Sequence, residues 1–198
     1  TDRKQVISGG LLDALEQALQ GGVKAIQLRE KDLISKDLYE LALKLRGLTK
    51  LFNARLLIND RIDIALAVDA DGVHLAENSI PADQARKLLP PAKLIGVSCH
   101  NIHGGVAAQK NGADFITFGP VFPTPSKAGY GNPVGVNTLA EAAAALSIPV
   151  FALGGIKAEN IPSTIAAGAY GVAMISEIMA AEHPMDSAST IIDILAKG

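Results

Sequence analysis

Residues 56–75 read LLINDRIDIALAVDADGVHL, in which an apolar run, an amphipathic segment and a second apolar run follow one another. The two runs, at 56–59 and 72–75, have the length and composition of buried strands, and residues 62–68 between them are typical of a short helix. Strands that alternate with helices pair in parallel, and strands covered on both faces are continuously apolar. The stretch therefore predicts a βαβ unit of an α/β protein.

The same alternation continues along the whole chain. Further strands are predicted at 25–29, 94–98, 115–119, 150–153 and 171–175, and further helices at 11–20, 35–52, 81–89, 102–110, 138–146, 160–167 and 184–196. Ser35 is the expected N-cap of the longest helix.

The number of predicted strands is seven, and Thr1-Asp2-Arg3 has the character of the end of another. We therefore expect residues 1–198 to form one (β/α)8 TIM-barrel domain whose first strand is largely missing from this sequence. An open, doubly wound sheet is the alternative fold.

Composition argues against several classes of function. The 198 residues are 48% hydrophobic and carry 18 Lys and Arg against 20 Asp and Glu, a net charge of −2. There is no basic stripe for nucleic acid or an anionic membrane surface, and no apolar run reaches the ~18 residues that span a bilayer. The single Cys99 cannot form an internal disulfide, so we expect a cytoplasmic protein in which this thiol is a packing residue.

Polar residues and glycines cluster just past the predicted strands. In a parallel barrel the active site forms at the carboxyl ends of the strands, so these positions are expected to meet. They include three cations, several hydroxyls and one carboxylate, which suit one or more phosphates, with room for magnesium at Asp60. Asp60 as a helix cap is an equally open interpretation. The members are Arg29, Lys31, Asn59, Asp60, His74, Ser79, Ser98, His100, Thr124, Ser126, Lys127, Gly154, Gly155, Ile175 and Ser176.

Three local patterns strengthen this site. Gln27 and Arg29 alternate on one face of their strand. Residues 119–127, GPVFPTPSK, place two hydroxyls and a lysine on a proline-rich loop that loses little entropy when it is ordered around a ligand. The pair Gly154-Gly155 at a strand end would let a phosphate approach the backbone, although a plain turn is the alternative.

The chain resembles the thiamin-phosphate synthase and TenI superfamily over nearly its whole length. The resemblance rests on the order and spacing of six motifs: IQLREKD (26–32), LLINDRIDIALAVDADGVHL (56–75), GVSCH (96–100), GPVFPTPSK (119–127), ALGGI (152–156) and GVAMIS (171–176). It implies a transferase that joins hydroxymethylpyrimidine pyrophosphate to a thiazole phosphate and releases pyrophosphate. It also implies that dimers are common, so a homodimer is one expectation.

The resemblance also implies a role for each site residue. Arg29, Lys31, Asn59 and Lys127 would hold the pyrophosphate, and Asp60 would bind Mg²⁺. Gln27 and Ser98 would lie beside the pyrimidine and its leaving group, while Thr124, Ser126, Gly155 and Ser176 would hold the thiazole phosphate. His74, Gly154 and Ile175 are further candidates for contact with substrate, and Ser98, Lys127 and Arg29 are the candidate catalytic residues.

Departures from the family pattern leave three functions open. Ser79 stands where synthases have a second aspartate ligand for magnesium, with Glu77 as the alternative ligand nearby. Residues 128–131 look more like TenI-type relatives, yet Pro120 stands where a TenI thiazole tautomerase has its acid/base histidine. We favour the synthase, with a tautomerase that uses His74 or His100, or a non-catalytic binder of thiamin intermediates, as alternatives.

Overall fold

The computed structural model describes residues 1–124 and 132–197 and shows an α/β protein whose strand pairings are parallel. Seven strands lie in this part of the chain: β1 (Ala25–Leu28), β2 (Arg55–Asn59), β3 (Gly72–Leu75), β4 (Leu94–Cys99), β5 (Phe115–Phe118), β6 (Val150–Leu153) and β7 (Gly171–Ala173). All seven match strands predicted from apolar runs. An eighth strand is not among the described residues, so the closed (β/α)8 barrel is not confirmed.

Nine α-helices lie between or beside these strands in the described residues. They are α1 (Leu11–Gln20), α2 (Ser35–Leu51), α3 (Ile62–Ala67), α4 (Ala82–Leu88), α5 (Ile102–Lys110), α6 (Gly135–Ala145), α7 (Ile161–Ala166), α8 (Ser176–Met179) and α9 (Pro184–Leu195). Two short 3-10 helices, Arg3–Gln5 and Ala158–Asn160, were not predicted. None of these helices is long and apolar enough to cross a membrane.

The chain divides into two compact units. The first contains Thr1–His74, Leu88–Leu94 and Ile175–Ile192, and the second contains Leu75–Lys87, Ile95–Met174 and Asp193–Gly198. In the first unit β1 pairs with β2 and β2 with β3; in the second, β4 pairs with β5, β5 with β6 and β6 with β7. Strand order within each unit therefore follows chain order, as expected for successive βαβ units.

Strands and helices bury their apolar faces within each unit. In the first unit Leu56 and Ile58 of β2 are fully buried, and Ala42 and Leu45 of α2 are equally inaccessible. In the second unit the core includes Ile116 and Phe118 of β5. Strands β2, β3 and β5 are buried on three or more successive residues, which explains why they appear in the sequence as continuous apolar runs.

Three local expectations are wrong. Ser35 is not the N-cap of α2: Ile34 takes that position, while the Ser35 hydroxyl accepts a hydrogen bond from Arg61 Nη1 at 3.1 Å. The predicted strand at 171–175 ends at Ala173, and Ile175 immediately precedes α8. Thr1 to Arg3 do not form a strand end, because Asp2 Oδ1 accepts from the backbone N–H of Lys4 and so caps the 3-10 helix that begins at Arg3.

Candidate active site

A chain of amide and carboxylate hydrogen bonds lies at the carboxyl ends of β1 and β2. Gln27 Nε2 donates to Asn59 Oδ1 at 3.1 Å, and Asn59 Nδ2 donates to Asp60 Oδ2 at 2.8 Å. Gln27 pairs in register with Leu57, two residues before Asn59, so the strand register itself brings these groups together. Three predicted residues from two separate motifs are thus joined directly.

Arg29 and His74 adjoin this chain of hydrogen bonds in the same unit. Arg29 follows β1 and is half-buried, with its backbone N–H bonded to Thr1 Oγ1 at 3.0 Å. His74, on β3, is 3% exposed. Burial lowers the pKa of its imidazole to about 4; the Asp60 carboxylate acts in the opposite direction and the Arg29 guanidinium adds to the lowering. His74 is therefore neutral at pH 7, and the positive charge beside it belongs to Arg29.

Asp60 occupies an unusual backbone position. Its φ is 58°, in the left-handed region that non-glycine residues rarely adopt, and its N–H donates to the His74 carbonyl at 3.0 Å. The N-cap position of α3 belongs to Arg61, so the helix-cap interpretation of Asp60 is not the one that the structure shows. The strained backbone instead leaves the Asp60 carboxylate exposed just past β2.

Lys31 is exposed in the loop after β1, two residues beyond Arg29. Between the two cations lies Glu30, whose side chain is only 2% exposed and accepts hydrogen bonds from Arg3. Sequence reasoning did not select Glu30. The signal available in the sequence was that Glu30 continues the alternation of side chains along β1. At a buried position a carboxylate without a partner would cost much free energy.

In the second unit, hydroxyl groups meet at the ends of β4 and β5. Thr117 Oγ1 donates to Ser98 Oγ at 3.4 Å, because Ser98 and Thr117 are register partners in adjacent strands. Thr117 is 6% exposed and was not selected from the sequence. Its position as the polar residue within the run FITF was the available signal. His100 Nδ1 bonds to the carbonyl of Gly119, which ties the loop after β4 to the loop after β5.

Four residues selected from the sequence line one cavity of about 230 Å³ in the second unit. Glu77, Ser79, Ser98 and His100 line it, together with apolar residues that include Leu75 and Val97. Ser79 also closes a turn, since its Oγ accepts from the backbone N–H of Ala76 at 2.7 Å. The cavity therefore combines an apolar floor with a carboxylate, hydroxyls and an imidazole.

The loops after β5 and β6 are bonded to each other. Val121 N–H donates to the Leu153 carbonyl at 2.9 Å, and Phe122 N–H donates to the Gly154 carbonyl at 3.0 Å. Gly154 and Gly155 have φ values of 92° and 65°, and a Cβ on either would lie 2.6 Å from Pro120 or from the Pro123 carbonyl, respectively. Loop packing thus requires both glycines, whichever ligand the loops hold.

The remaining predicted residues fall in different places. Thr124 is half-buried at the end of the described loop, whereas Ser126 and Lys127 lie outside the described residues. Ile175 and Ser176, at the start of α8, belong to the first unit, while Gly154 and Gly155 belong to the second. Each unit therefore carries its own part of the predicted set.

The described residues contain no group of three or more His, Cys, Asp or Glu side chains that could hold a metal ion. In the first unit Asp60 is the exposed carboxylate just past β2, beside the amide of Asn59. Mg²⁺ commonly keeps several waters and binds through one or two carboxylates together with substrate phosphates. Asp60 therefore fits a magnesium ion that arrives with a diphosphate better than one caged by protein alone.

Polar groups collect at strand ends in both units, and comparison with known proteins identifies the family of the chain. A family model described as thiamine monophosphate synthase matches residues 1–178. A Geobacter sulfurreducens protein named "Putative thiamine-phosphate synthase" is 58% identical over 195 residues, or 98% of this chain and 92% of that protein. The thiamine-phosphate synthase of Clostridium acetobutylicum is 41% identical, and 100% of this chain and 93% of that protein are covered. The chain belongs to the thiamine monophosphate synthase family.

Solved structures agree on the fold. Thiamine phosphate pyrophosphorylase from Pyrococcus furiosus superposes with a TM-score of 0.91 at 33% identity, covering 99% of this chain and 93% of that one. A 3-hexulose-6-phosphate synthase superposes with a TM-score of 0.68 at 19% identity, covering 98% of this chain and 94% of that one. At that identity the second likeness shows the α/β fold alone.

Proposed function

We propose that this chain is a thiamine-phosphate synthase, a transferase of thiamine biosynthesis. It would join hydroxymethylpyrimidine pyrophosphate to a thiazole phosphate and release pyrophosphate. The observation that carries the proposal is the bonded set Gln27, Asn59 and Asp60 beside the Arg29 charge, at strand ends in a chain of this family. The proposed fold is a single (β/α)8 barrel domain, supported by parallel strands that pair in chain order.

The charges present suit departure of a diphosphate. Arg29 and Lys31 follow β1. Together with Lys127 they would supply the positive charge that stabilises the leaving diphosphate. Fixed cations placed where negative charge accumulates lower the barrier to bond breaking. No general base is required, because the thiazole nitrogen carries its own lone pair. Thr124, Ser126, Gly155 and Ser176 are proposed to hold the thiazole phosphate.

Magnesium is the proposed cofactor. Asp60 would hold it together with oxygens of the diphosphate, with Glu77 or Ser79 as a further ligand, and its charge would stabilise the departing diphosphate. The protein's own contribution at this position is the left-handed backbone of Asp60 and the hydrogen bond from Asn59, which orient the carboxylate.

One observation weighs against a tautomerase that uses His74. That activity would need His74 or His100 as an acid/base group, but a His74 pKa of about 4 makes its imidazole a weak base at neutral pH. The bond from His100 to the Gly119 carbonyl engages Nδ1 alone, so a tautomerase that uses His100 stays the alternative function. We further propose cytoplasmic location, consistent with the free Cys99 thiol, and a homodimer, which light scattering in solution would test.

The first prediction concerns Arg29. Arg29→Ala should weaken binding of the pyrimidine pyrophosphate, since a charge-assisted hydrogen bond contributes about 1.5–3 kcal/mol, and should leave the thiazole phosphate little affected. Lys127→Ala should do the same. Arg55→Ala is the matched control, because Arg55 begins β2 at its amino end and has a 62% exposed side chain. Calorimetry with each substrate measures the losses; equal weakening of both ligands would contradict the assignment.

The second prediction concerns Ser79. Ser79→Asp should lower the magnesium concentration needed for half-maximal pyrophosphate release, because hard cations gain affinity with ligand charge. An aspartate can also accept the hydrogen bond from Ala76 N–H that Ser79 now accepts. If Glu77 already serves as the ligand, Ser79→Asp should change little and Glu77→Gln should raise the magnesium requirement. Absence of pyrophosphate release in the wild type and both variants at saturating magnesium would refute the synthase proposal.

A further inference from the structure

Glu30 is a buried carboxylate placed between two cations of the proposed diphosphate site. Its side chain is 2% exposed, whereas Arg29 is half-buried and Lys31 is exposed. The alternation of β1 continues through these residues, so Glu30 and Arg29 lie on opposite sides of the backbone. The motif IQLREKD contains two acidic side chains with no role in the proposed reaction, and of these Glu30 is the buried one.

The partner of Glu30 is Arg3. The Arg3 backbone N–H lies 3.0 Å from Glu30 Oε1 and 3.3 Å from Oε2, and Arg3 Nη1 donates to Oε2 at 3.0 Å. The same guanidinium makes a two-pronged contact with Asp32, at 2.6 and 2.9 Å, and Lys4 Nζ lies 2.8 Å from Asp32. The 3-10 helix Arg3–Gln5 is therefore bonded to both ends of the segment 30–32.

These contacts fix the segment that carries the cations. A buried carboxylate that loses its partner is strongly destabilised, so Glu30 and Arg3 stay together in the folded chain. Arg29 and Lys31 are the immediate neighbours of Glu30, and their backbone positions are set with it. The 3-10 helix Arg3–Gln5 also packs against α8, whose first residue is Ser176.

We propose that Glu30 and Arg3 are positioning residues for diphosphate binding. Their ion pair holds Arg29 and Lys31 in the arrangement that a diphosphate requires, so little order has to be gained when the ligand arrives. Neither residue contacts the diphosphate itself; both act through the segment 29–32. The inference rests on the assignment of Arg29 and Lys31 to the diphosphate in the proposed function.

The test compares Glu30→Gln and Arg3→Gln with the matched control Arg46→Gln. Arg46 also pairs with a partly buried carboxylate in the first unit: Nη1 donates to Asp71 Oδ2 at 2.6 Å, and the two side chains are 12% and 21% exposed. Asp71 directly precedes β3, at the amino end of the strand. Loss of either ion pair should lower the thermal unfolding midpoint, so stability alone does not distinguish the two.

Binding of inorganic pyrophosphate with Mg²⁺, measured by calorimetry, is the distinguishing readout. Glu30→Gln and Arg3→Gln should each weaken it about tenfold, the size typical of lost positioning contacts, and Arg46→Gln should leave it within about twofold. In turnover, KM for the pyrimidine diphosphate should rise while KM for the thiazole phosphate stays nearly constant. The double variant should bind pyrophosphate no more weakly than Arg3→Gln alone, because loss of Arg3 already removes the pair with Glu30.

The outcomes separate this inference from the proposed function. If wild type binds pyrophosphate but forms no product, the synthase proposal fails and the binding series still decides the role of Glu30. If Glu30→Gln and Arg3→Gln bind pyrophosphate as well as Arg46→Gln does, or if wild type does not bind it, the positioning role is wrong. If Glu30→Gln does not fold, Arg3→Gln decides the question, because the Arg3 side chain is 33% exposed and its loss is more easily tolerated.

Discussion

His74 is a buried imidazole whose surroundings determine its charge. The strand positions of β3 place it in the interior, and removal from water disfavours the protonated form more than the Asp60 carboxylate favours it. The sequence identified His74 as a residue at a strand end but could not indicate its protonation, because desolvation depends on which other elements cover it. The result is a neutral imidazole beside the Arg29 guanidinium.

The third prediction follows from that pKa. Because the imidazole pKa is about 4 in the folded chain and about 6.5 when exposed, the unfolded state binds more protons between these values. The free energy of unfolding should therefore fall as pH drops from about 6.5 to 4, by on the order of 3 kcal/mol from this residue. Urea titrations of wild type and His74→Gln across that range measure it; parallel pH profiles for the two proteins would contradict the prediction.

Ser35 and Asp60 illustrate the limit of local capping rules. Both have the side chains that favour an N-cap, and both lie next to a helix start, yet neither occupies the cap position of that helix. The Ser35 hydroxyl is engaged by Arg61, which is 26 residues away, and Asp60 is held by the β3 carbonyl of His74. Contacts between distant segments outweigh a cap that contributes about 1 kcal/mol.

Among the helices, α1 and α5 have the bounds that their sequence predicts, whereas α6 begins three residues earlier, at Gly135. The first two are bounded by local signals: Gly10 and Asn101 occupy their N-cap positions, and the Asn101 side chain accepts from Gly104 N–H at 2.8 Å. The start of α6 depends on tertiary contacts, because Gly135 N–H and Val134 N–H donate to carbonyls of the loop after β5. Such bonds are invisible in a local pattern.

The fourth prediction compares two glycines of the first unit. Gly47 lies within α2, and a Cβ there would meet nothing within 4 Å, so Gly47→Ala should raise the free energy of unfolding by about 1 kcal/mol through helix propensity. Gly21 ends α1 against α9, and a Cβ would lie 2.4 Å from the Met185 carbonyl. Gly21→Ala should therefore lower the free energy of unfolding by about 1–3 kcal/mol. Urea denaturation measures both, and changes of the same sign would contradict the explanation.

At the scale of the molecule, the seven parallel strands of the described residues and the family relationship were both available from the sequence. Parallel strands buried on both faces must be continuously apolar, and the helices between them must be amphipathic. Local hydrophobic patterns therefore predict the order of the elements along the chain. The division into two compact units was not predicted. Compactness depends on the density of contacts between distant segments, which no window of sequence contains.

The succession of strands, the family and the residues that follow each strand could all be predicted from the sequence, because periodicity and strand ends are properties of neighbouring positions. Tertiary structure alone decided how those residues are used. In the folded chain Gln27 donates to Asn59 on the neighbouring strand, and Glu30 pairs with Arg3. Burial keeps His74 neutral, and the packing of the loops requires glycine at 154 and 155. Hydrogen bonding, desolvation and steric contact depend on distances between segments far apart in the chain, and only the folded arrangement sets those distances.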